Sequence, residues 1–278
     1  MAPKHQTPTD QAFAQGVKPW KERLGLARDA VRQELVARQL ESHLPAPVGS
    51  VPLRALDAGC GQGTQLIRLA RAGYHAVGVD LSEELLDAAR AAMAAEPAEV
   101  RSRITLIQGD LHDLKQLVDP GFDVVCCHGV LMYLPSLERA LHALASASRP
   151  GGLISVLTRN RAGIAMRAGM TGDWRGALDG FDARSYGNRL GLADVRAHDP
   201  QEVVIALREM GVVTTQWYGV RLFSDHWGDA EPPSDFEDLL AAELEAGRRE
   251  PYRRLAALTH TIGVRTPSAE PPAAERES

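Results

Sequence analysis

Cysteines, aromatic residues and long apolar stretches are all scarce in this 278-residue chain. Its three cysteines, an odd number, argue against a disulfide-stapled secreted domain and favour a reducing cytoplasm. No apolar run approaches the roughly 20 residues that a membrane-spanning helix needs. The opening stretch MAPKHQTPTDQAFAQG also lacks the hydrophobic core of a signal peptide. We therefore expect a cytoplasmic protein with no membrane partner.

An excess of positive charge is also missing. With 31 basic and 36 acidic residues, the formal net charge is −5, so the overall balance does not call for nucleic acid. Cys126 and Cys127 are adjacent in the apolar run FDVVCC. On a strand they would point to opposite faces, which prevents a shared metal ion, so we predict two core residues and no metal site.

The stretch 53–90 organises the chain. A short apolar run containing Asp57 breaks into the glycine-rich turn 59–63, a helical pattern follows, and a second apolar run ends at Asp80. This order predicts a βαβ unit whose glycine turn lets a ligand lie against bare backbone at a helix N-terminus. An acid that ends the second strand can accept both ribose hydroxyls of a nucleoside. The sequence therefore predicts a pocket for an adenosine-containing cofactor.

Asp57, two residues before the first glycine, distinguishes between the possible cofactors. A dinucleotide would place its anionic pyrophosphate near this carboxylate, and like charges at close range repel. S-adenosylmethionine instead carries an ammonium and a sulfonium, so Asp57 favours S-adenosylmethionine over NAD. A glycine turn that merely connects a strand to a helix explains neither Asp57 nor Asp80.

LDAGCGQG and GVDLS resemble motifs I and II of the class I S-adenosylmethionine-dependent methyltransferases. The resemblance implies an α/β, Rossmann-like fold: a doubly wound, mainly parallel seven-stranded sheet whose last two strands form an antiparallel edge. We expect a flexible N-terminus (1–20), a methyltransferase domain (21–266) and a disordered tail (267–278). The further predicted strands are 103–108, 122–127, 153–157, 212–223 and 260–265. The predicted helices outside the βαβ unit are a lid at 21–44 and helices at 136–148, 199–210 and 232–247.

Residues 158–198 interrupt the alternation of strands and helices. The segment contains several arginines together with Trp174, Phe181 and Tyr186. An insertion after the fifth strand would overhang the methyl group of the cofactor, so we predict a substrate cap that closes the acceptor pocket together with the lid helix. The alternative is a solvated surface excursion.

Segments in the second half of the chain resemble a narrower family. HGVLMYL at 128–134, DPQEVVIALREMG at 199–211 and GVRLFSDHW at 219–227 are similar to segments of the tRNA carboxymethoxyuridine carboxyl methyltransferases. That similarity implies that the acceptor is the carboxylate of a modified wobble uridine and that tRNA is a partner. By position it implies cofactor contacts at Arg32, Gly59, Cys60, Asp80, Leu111, His112 and His128. Asp57, Gly61, Leu81 and Asp110 complete the predicted cofactor site.

Two residues are candidates for the chemical step. A carboxylate acceptor is already ionised near neutral pH and needs no base, but a guanidinium fork would orient it, and Arg221 is the candidate. The alternative for Arg221 is a structural ion pair with Asp225. His128 would be the first candidate base for a phenol or amine acceptor, and its alternative is a structural histidine that bonds a backbone carbonyl.

Two other functions stay open. One is a small-molecule O- or N-methyltransferase acting on a metabolite. The other is a non-catalytic protein that binds S-adenosylmethionine, against which the complete cofactor motif argues.

Overall fold

A computed structural model describes residues 25–46, 51–187 and 194–267. The strands are β1 (Arg54–Ala58), β2 (His75–Asp80), β3 (Ile104–Gln108), β4 (Phe122–His128), β5 (Ser148–Arg159), β6 (Ser185–Tyr186), β7 (Val195–Arg196), β8 (Val212–Val220) and β9 (Leu258–Arg265). The α-helices are α1 (Ala27–Glu41), α2 (Thr64–Arg71), α3 (Glu83–Ala94), α4 (Ala98–Arg101), α5 (Leu114–Leu117), α6 (Leu137–Ala147), α7 (Ala162–Met170), α8 (Trp174–Gly180), α9 (Pro200–Glu209), α10 (Phe236–Arg248) and α11 (Tyr252–Leu255).

Seven strands form one sheet in the order β3-β2-β1-β4-β5-β9-β8. The first five are parallel, and β9 runs antiparallel to both β5 and β8. The predicted fold class, including its antiparallel edge, is confirmed. The strand order reverses between β1 and β4, so the carboxyl ends of these two strands open a crevice where ligands bind in such sheets.

Helices cover both faces of the sheet because its central strands are apolar on both sides. Cys126 packs in the cluster that contains Leu66 and Leu86 from α2 and α3, whereas Cys127 packs with Leu141 and other residues of α6. The two cysteines thus point to opposite faces, as predicted for adjacent residues of a buried strand. Both thiols are free and fully buried.

Side-chain caps begin two of the predicted helices. Ser136 accepts a hydrogen bond from the backbone N–H of Arg139 at the start of α6. Asp199 and Glu202 form a reciprocal capping box at α9. Both arrangements satisfy backbone donors that a helix cannot bond internally.

Strand β5 differs from its predicted bounds. We predicted that 149–152 is a turn and that the strand begins at 153, but the strand begins at Ser148, which pairs with Phe122. The pairing register then shifts between Phe122 and Val124. The residues RPGG form an irregularity within the strand rather than a separate turn, with Gly151 at a positive φ of 76°.

Helix α1 lies over the sheet near β8, where Val31 and Leu35 pack with Val220. The first six residues of the predicted lid, 21–26, precede α1. Residues 21–24 lie outside the described residues. The predicted N-terminus and all of the predicted tail except Pro267 also lie outside them. Within the ranges described, no helix is both long and apolar enough to cross a membrane.

The predicted cap 158–198 contains the end of β5, helices α7 and α8, and the β6–β7 pair. Its stretch 188–193, including Arg189, is outside the described residues. Trp174 and Phe181 are 71% and 72% exposed, so these two aromatic side chains do not pack over the sheet. Closure of the acceptor pocket by this segment stays a prediction.

Candidate functional site

The glycine turn after β1 has a backbone that requires glycine. Gly59, Gly61 and Gly63 have φ values of 81°, 55° and 82°, in the left-handed region that disfavours other residues. A Cβ on Gly59 would also lie 2.2 Å from Cγ2 of Val130. Gly63 then leads into α2, so the exposed backbone of the turn faces the crevice at a helix N-terminus.

A cavity opens at this turn, between the ends of β1 and β4 and helix α1. Asp57, Gly59, Cys60 and Gly61, all predicted cofactor contacts, line it. So do the predicted contacts Arg32 and His128, which lie on different elements. The remaining lining residues are Gln33, Val36, Gln62, Thr64, Gln65 and Leu157.

Two buried carboxyl groups mark the cofactor side of the site. Asp57 and Asp80 are only 3% and 6% exposed. Asp80 accepts hydrogen bonds from the backbone N–H groups of Gly61 (2.8 Å) and Ser82 (2.9 Å), which fix its orientation beside the turn. Burial raises the pKa of Asp80 above its ordinary value, although these backbone bonds oppose the shift.

Burial and the neighbouring Asp80 raise the pKa of Asp57 to about 7. A cation bound in the cavity would favour the ionised carboxylate and would itself be held by it. A bound pyrophosphate would instead add negative charge beside two buried acids. The charge of the site therefore suits a cationic ligand.

Arg32 supplies the complementary positive charge. Its guanidinium is paired with Asp29 at 2.6 Å on the preceding turn of α1, and its side chain lines the same cavity as Asp57. The amino-acid part of S-adenosylmethionine carries both a carboxylate and an ammonium. A guanidinium and a carboxylate that line one cavity match this pair of charges, so the residues present fit the predicted cofactor.

His128 ends β4 and lines the cavity. Its Nε2 lies 2.8 Å from Oγ of Ser155 on β5, so the structural alternative of a bond to a backbone carbonyl does not describe this nitrogen. Burial and the nearby Arg32 lower the pKa of His128 to about 3. The imidazole is therefore neutral near pH 7 and adds no charge to a site that takes a cation.

Five predicted cofactor residues do not line the cavity: Asp80, Leu81, Asp110, Leu111 and His112. Leu81 is 40% exposed and the side chain of Leu111 packs in the core. Oδ1 of Asp110 accepts the backbone N–H of His112 at 2.8 Å and so caps a short 3₁₀ helix. Both ring nitrogens of His112 are buried without a hydrogen-bond partner in the described structure. Contact of 110–112 with the cofactor stays a prediction.

A cluster of arginines surrounds Asp225, and none of its members is among the residues that line this cavity. Arg28 of α1 bonds Oδ1 of Asp225 at 2.8 Å, Arg221 approaches the same oxygen at 3.1 Å, and Arg159 of β5 bonds Oδ2 at 3.3 Å. Arg167 of α7 also donates to the backbone carbonyl of Asp225, and its guanidinium lies 3.7 Å from Oδ2 of the same residue. We call Arg28, Arg159, Arg221 and Asp225 the arginine cluster.

One carboxylate cannot neutralise three guanidinium groups. Asp225 is 5% exposed and Arg159 is 3% exposed. Burial alone would raise the pKa of Asp225, but Arg221, Arg159 and Arg28 outweigh it and hold that pKa below its ordinary value. Burial, together with Arg28 and the other cations, lowers the pKa of Arg221 to about 10 despite the attraction of Asp225. Arg221 therefore remains charged near neutral pH.

The chain that carries Arg221 is strained and firmly held. Arg221 has a φ of 61°, a conformation that costs free energy for a residue with a side chain and is often found at functional sites. The buried carboxylate of Glu243 accepts the backbone N–H groups of Leu222, Phe223 and Ser224 at 2.7–3.0 Å. These bonds fix the turn between Arg221 and Asp225.

The predicted alternative for Arg221, an ion pair with Asp225, is present. The sequence did not indicate the other residues that contact this ion pair. Arg28 and Glu243 were not predicted, and Arg159 was recognised only as one of the arginines of the cap. One signal was available: Arg28 is four residues before Arg32, so both lie on one face of α1. The guanidinium of Arg28 reaches the arginine cluster while that of Arg32 reaches the cavity.

Similarity to known proteins agrees with this geometry. Residues 55–152 match the family model described as a methyltransferase domain. The chain is 29% identical over 247 residues to tRNA 5-carboxymethoxyuridine methyltransferase of Escherichia coli K12, covering 88% of this chain and 92% of that protein. It is 35% identical over 106 residues to the ubiquinone biosynthesis O-methyltransferase of Hydrogenovibrio crunogenus, covering 38% and 42%.

A solved structure has the same fold at low sequence identity. Magnesium protoporphyrin IX methyltransferase from Synechocystis superposes with a TM-score of 0.60 at 16% identity, covering 93% of this chain and 96% of that one. Its likeness extends the match beyond residues 55–152 to the antiparallel edge and the helices around it.

Proposed function

We propose that this chain, an S-adenosylmethionine-dependent methyltransferase, esterifies a carboxylate, and that the carboxylate belongs to a modified wobble uridine of tRNA. The arginine cluster is the observation that carries the proposal. It places three guanidinium groups around a single buried carboxylate. Such an excess of buried positive charge suits an anionic acceptor group.

The arginine cluster is joined to the cofactor cavity by two elements. On α1, Arg28 of the cluster precedes Arg32 of the cavity by one turn. On β5, Arg159 of the cluster follows Leu157, which lines the cavity, by two residues. An acceptor carboxylate held by the cluster would therefore lie on the side of the cavity formed by α1 and the end of β5.

Part of the hydrogen-bonding capacity of the three arginines is unused. The Nε atoms of Arg28, Arg159 and Arg221 are buried and have no partner in the described part of the chain. Each buried donor left without an acceptor costs about 1–3 kcal/mol. A carboxylate accepts from guanidinium groups in a planar, two-point geometry, so binding such an acceptor would recover part of that cost.

This arrangement accounts for methyl transfer without a general base. S-adenosylmethionine supplies an electrophilic methyl group when it is bound. The acceptor carboxylate is ionised near neutral pH, and the arginine cluster would orient one of its oxygens. His128, with its pKa lowered to about 3 by burial and Arg32, stays neutral and is not required to remove a proton.

The tRNA part of the proposal is supported by the relative from E. coli, whose similarity extends over 88% of the chain. The ubiquinone-pathway relative matches only 38% of it. That shorter match supports a second candidate, a small-molecule O-methyltransferase, but it covers only the part of the fold that the two proteins share. The arginine cluster draws on residues from 28 to 225, so it depends on elements well beyond a 106-residue match.

The acceptor can be tested by comparing tRNA nucleosides from cells with and without the gene. We expect mass spectrometry to show loss of a methyl-esterified uridine and accumulation of its free acid when the gene is deleted. The purified protein with S-adenosylmethionine should restore the ester on the deletion-strain tRNA. Unchanged nucleosides, together with turnover of a phenol or amine, would overturn the proposal and favour the small-molecule enzyme.

Cofactor binding depends on Asp80 in this proposal. Asp80→Ala removes a buried carboxylate that can accept ribose hydroxyls, so we expect S-adenosylmethionine affinity to fall by about 1–3 kcal/mol, the scale for hydrogen bonds to a charged group. Isothermal titration calorimetry measures the change. Asp87→Ala, at an exposed acid one turn into α3, is the control and should bind normally. Equal affinity of the two variants would exclude Asp80 as a cofactor contact.

A further inference from the structure

A row of buried hydrogen bonds crosses four strands beneath α1. It begins at His128 on β4, whose Nε2 lies 2.8 Å from Oγ of Ser155 on β5. Ser155 Oγ lies 2.7 Å from Nε2 of His260 on β9, and His260 Nδ1 lies 2.8 Å from Oε1 of Gln39 on α1. Gln39 Nε2 donates to the carbonyl of Gly219 on β8 at 3.4 Å. Ser155 and His260 are fully buried.

The donor and the acceptor of every hydrogen bond in the row follow from the last bond, between Gln39 and Gly219. The carbonyl of Gly219 can only accept, so the amide nitrogen of Gln39 must face it and Oε1 must face His260. Oε1 also only accepts, so Nδ1 of His260 carries a proton. Burial, with His128 and His43 nearby, lowers the pKa of His260 well below its usual value. His260 is therefore neutral, and its Nε2 is an acceptor.

The same reasoning shows which ring nitrogen of His128 carries the proton. Ser155 has one hydroxyl hydrogen, which it donates to Nε2 of His260, so its oxygen accepts from Nε2–H of His128. A neutral imidazole carries one proton, which leaves Nδ1 of His128 with a lone pair. Among the described residues no partner occupies this nitrogen, and His128 lines the cofactor cavity.

We propose that Gln39, His260 and Ser155 are positioning residues that hold His128 as the Nε2–H tautomer, so that Nδ1 offers a hydrogen-bond acceptor to the cationic amino group of the methyl donor. The opposite tautomer would direct an N–H towards that cation, and a protonated ring would add a like charge. Because the cofactor is the ligand, this inference does not depend on the acceptor and would survive failure of the carboxylate proposal.

The position of Gln39 gives the row a second consequence. Gln39 is on α1, the helix that also supplies Arg32 to the cavity. The hydrogen bonds therefore link the placement of this helix to the tautomer of a residue on β4. A purely structural row would tie α1 to the sheet without any effect on cofactor affinity.

Nitrogen-15 NMR of the full chain reads the tautomers directly. The chain has nine histidines, so the ring signals of His128 and His260 are assigned from the variants His128→Asn and His260→Asn. We expect the wild-type protein to show a proton on Nε2 of His128 and on Nδ1 of His260. A proton on Nδ1 of His128 in the wild-type protein would overturn the proposal.

Ser155→Ala interrupts the row while changing little volume. We expect His128 to lose its single tautomer and the affinity for S-adenosylhomocysteine, which retains the amino group, to fall about tenfold, the scale of one hydrogen bond to a charged group. Thr259→Val is the matched control, since the buried hydroxyl of Thr259 has no partner in the described structure and the residue adjoins His260 on β9.

The two variants separate positioning from structure. Loss of the tautomer with weaker binding in Ser155→Ala, and neither change in Thr259→Val, supports the proposal. A fixed His128 tautomer in Ser155→Ala, or normal affinity despite a mixed tautomer, overturns it. Equal weakening in both variants also overturns it, because a general loss of packing would then explain the result.

Discussion

Asp225→Asn is expected to destabilise the folded protein by about 3–5 kcal/mol, the cost of removing one partner from a buried ion pair. Asp225 is 5% exposed, and its carboxylate is the only acid that contacts the guanidinium groups of Arg28, Arg159 and Arg221 in the described structure. An asparagine would leave their charges to repel one another. Urea unfolding at pH 7 measures the loss of unfolding free energy.

The pH dependence of stability provides an independent check on Asp225. The arginines hold its pKa below the ordinary value, so the ionised group stabilises the fold above its unfolded-state pKa of about 4. That contribution is lost as the pH falls through the lower folded-state value. We expect wild-type stability to decline below about pH 4 more steeply than that of Asp225→Asn. Asp238→Asn, at an exposed acid on α10, should lose little stability and keep the wild-type decline.

The cofactor side of the site was predictable because its signals are local. The glycine turn, Asp57 and Asp80 lie within 24 residues of one another, and each residue type has a distinct conformational or charge requirement. The structure places Asp57 at the cavity and fixes Asp80 against the backbone of Gly61. The resemblance to class I methyltransferases then supplied the seven-stranded sheet with its antiparallel edge, which local patterns do not contain.

The arginine cluster and the buried row were not predictable because tertiary packing creates them. Arg28 and Asp225 are 197 residues apart, and Gln39 and His260 are 221 apart. In the sequence, Gln39 reads as one more polar residue of an amphipathic helix. Only the packing of α1 on the sheet shows that its side chain is buried and aimed at a histidine.

The error in the predicted start of β5 has a different cause. Proline and two glycines ordinarily indicate a turn, and Gly151 does adopt a positive φ. However, a Cβ on Gly152 would lie 2.8 Å from the carbonyl oxygen of Phe122. The backbones of β4 and β5 thus approach closely at that glycine, and the pairing continues past the irregularity.

Arg221→Lys is expected to lower kcat/KM for the carboxylate acceptor by about 100-fold, the scale for a misplaced reacting group, and Arg221→Ala to lower it further. Lysine keeps the positive charge but cannot form the planar two-point fork of a guanidinium. If Arg221 acts by aligning the acceptor rather than by its charge, Arg221→Lys should already show most of the loss in kcat/KM that Arg221→Ala shows. Steady-state kinetics on tRNA from a deletion strain measures both parameters.

Asp225 keeps Arg28 and Arg159 as partners when Arg221 is replaced, so a change in kinetics must be separated from a change in stability. Unfolding free energy and S-adenosylhomocysteine affinity of Arg221→Lys should therefore remain near wild type while kcat/KM falls. Arg248→Lys, at an exposed arginine of α10 paired with Glu245, is the matched control and should retain full activity. Wild-type kinetics in Arg221→Lys would show that Arg221 serves only the ion pair with Asp225. A fall in kcat/KM that merely parallels lost stability would have the same meaning. In either case the orientation of the acceptor would have to come from Arg28 or Arg159, whose side chains reach the same carboxylate from α1 and β5.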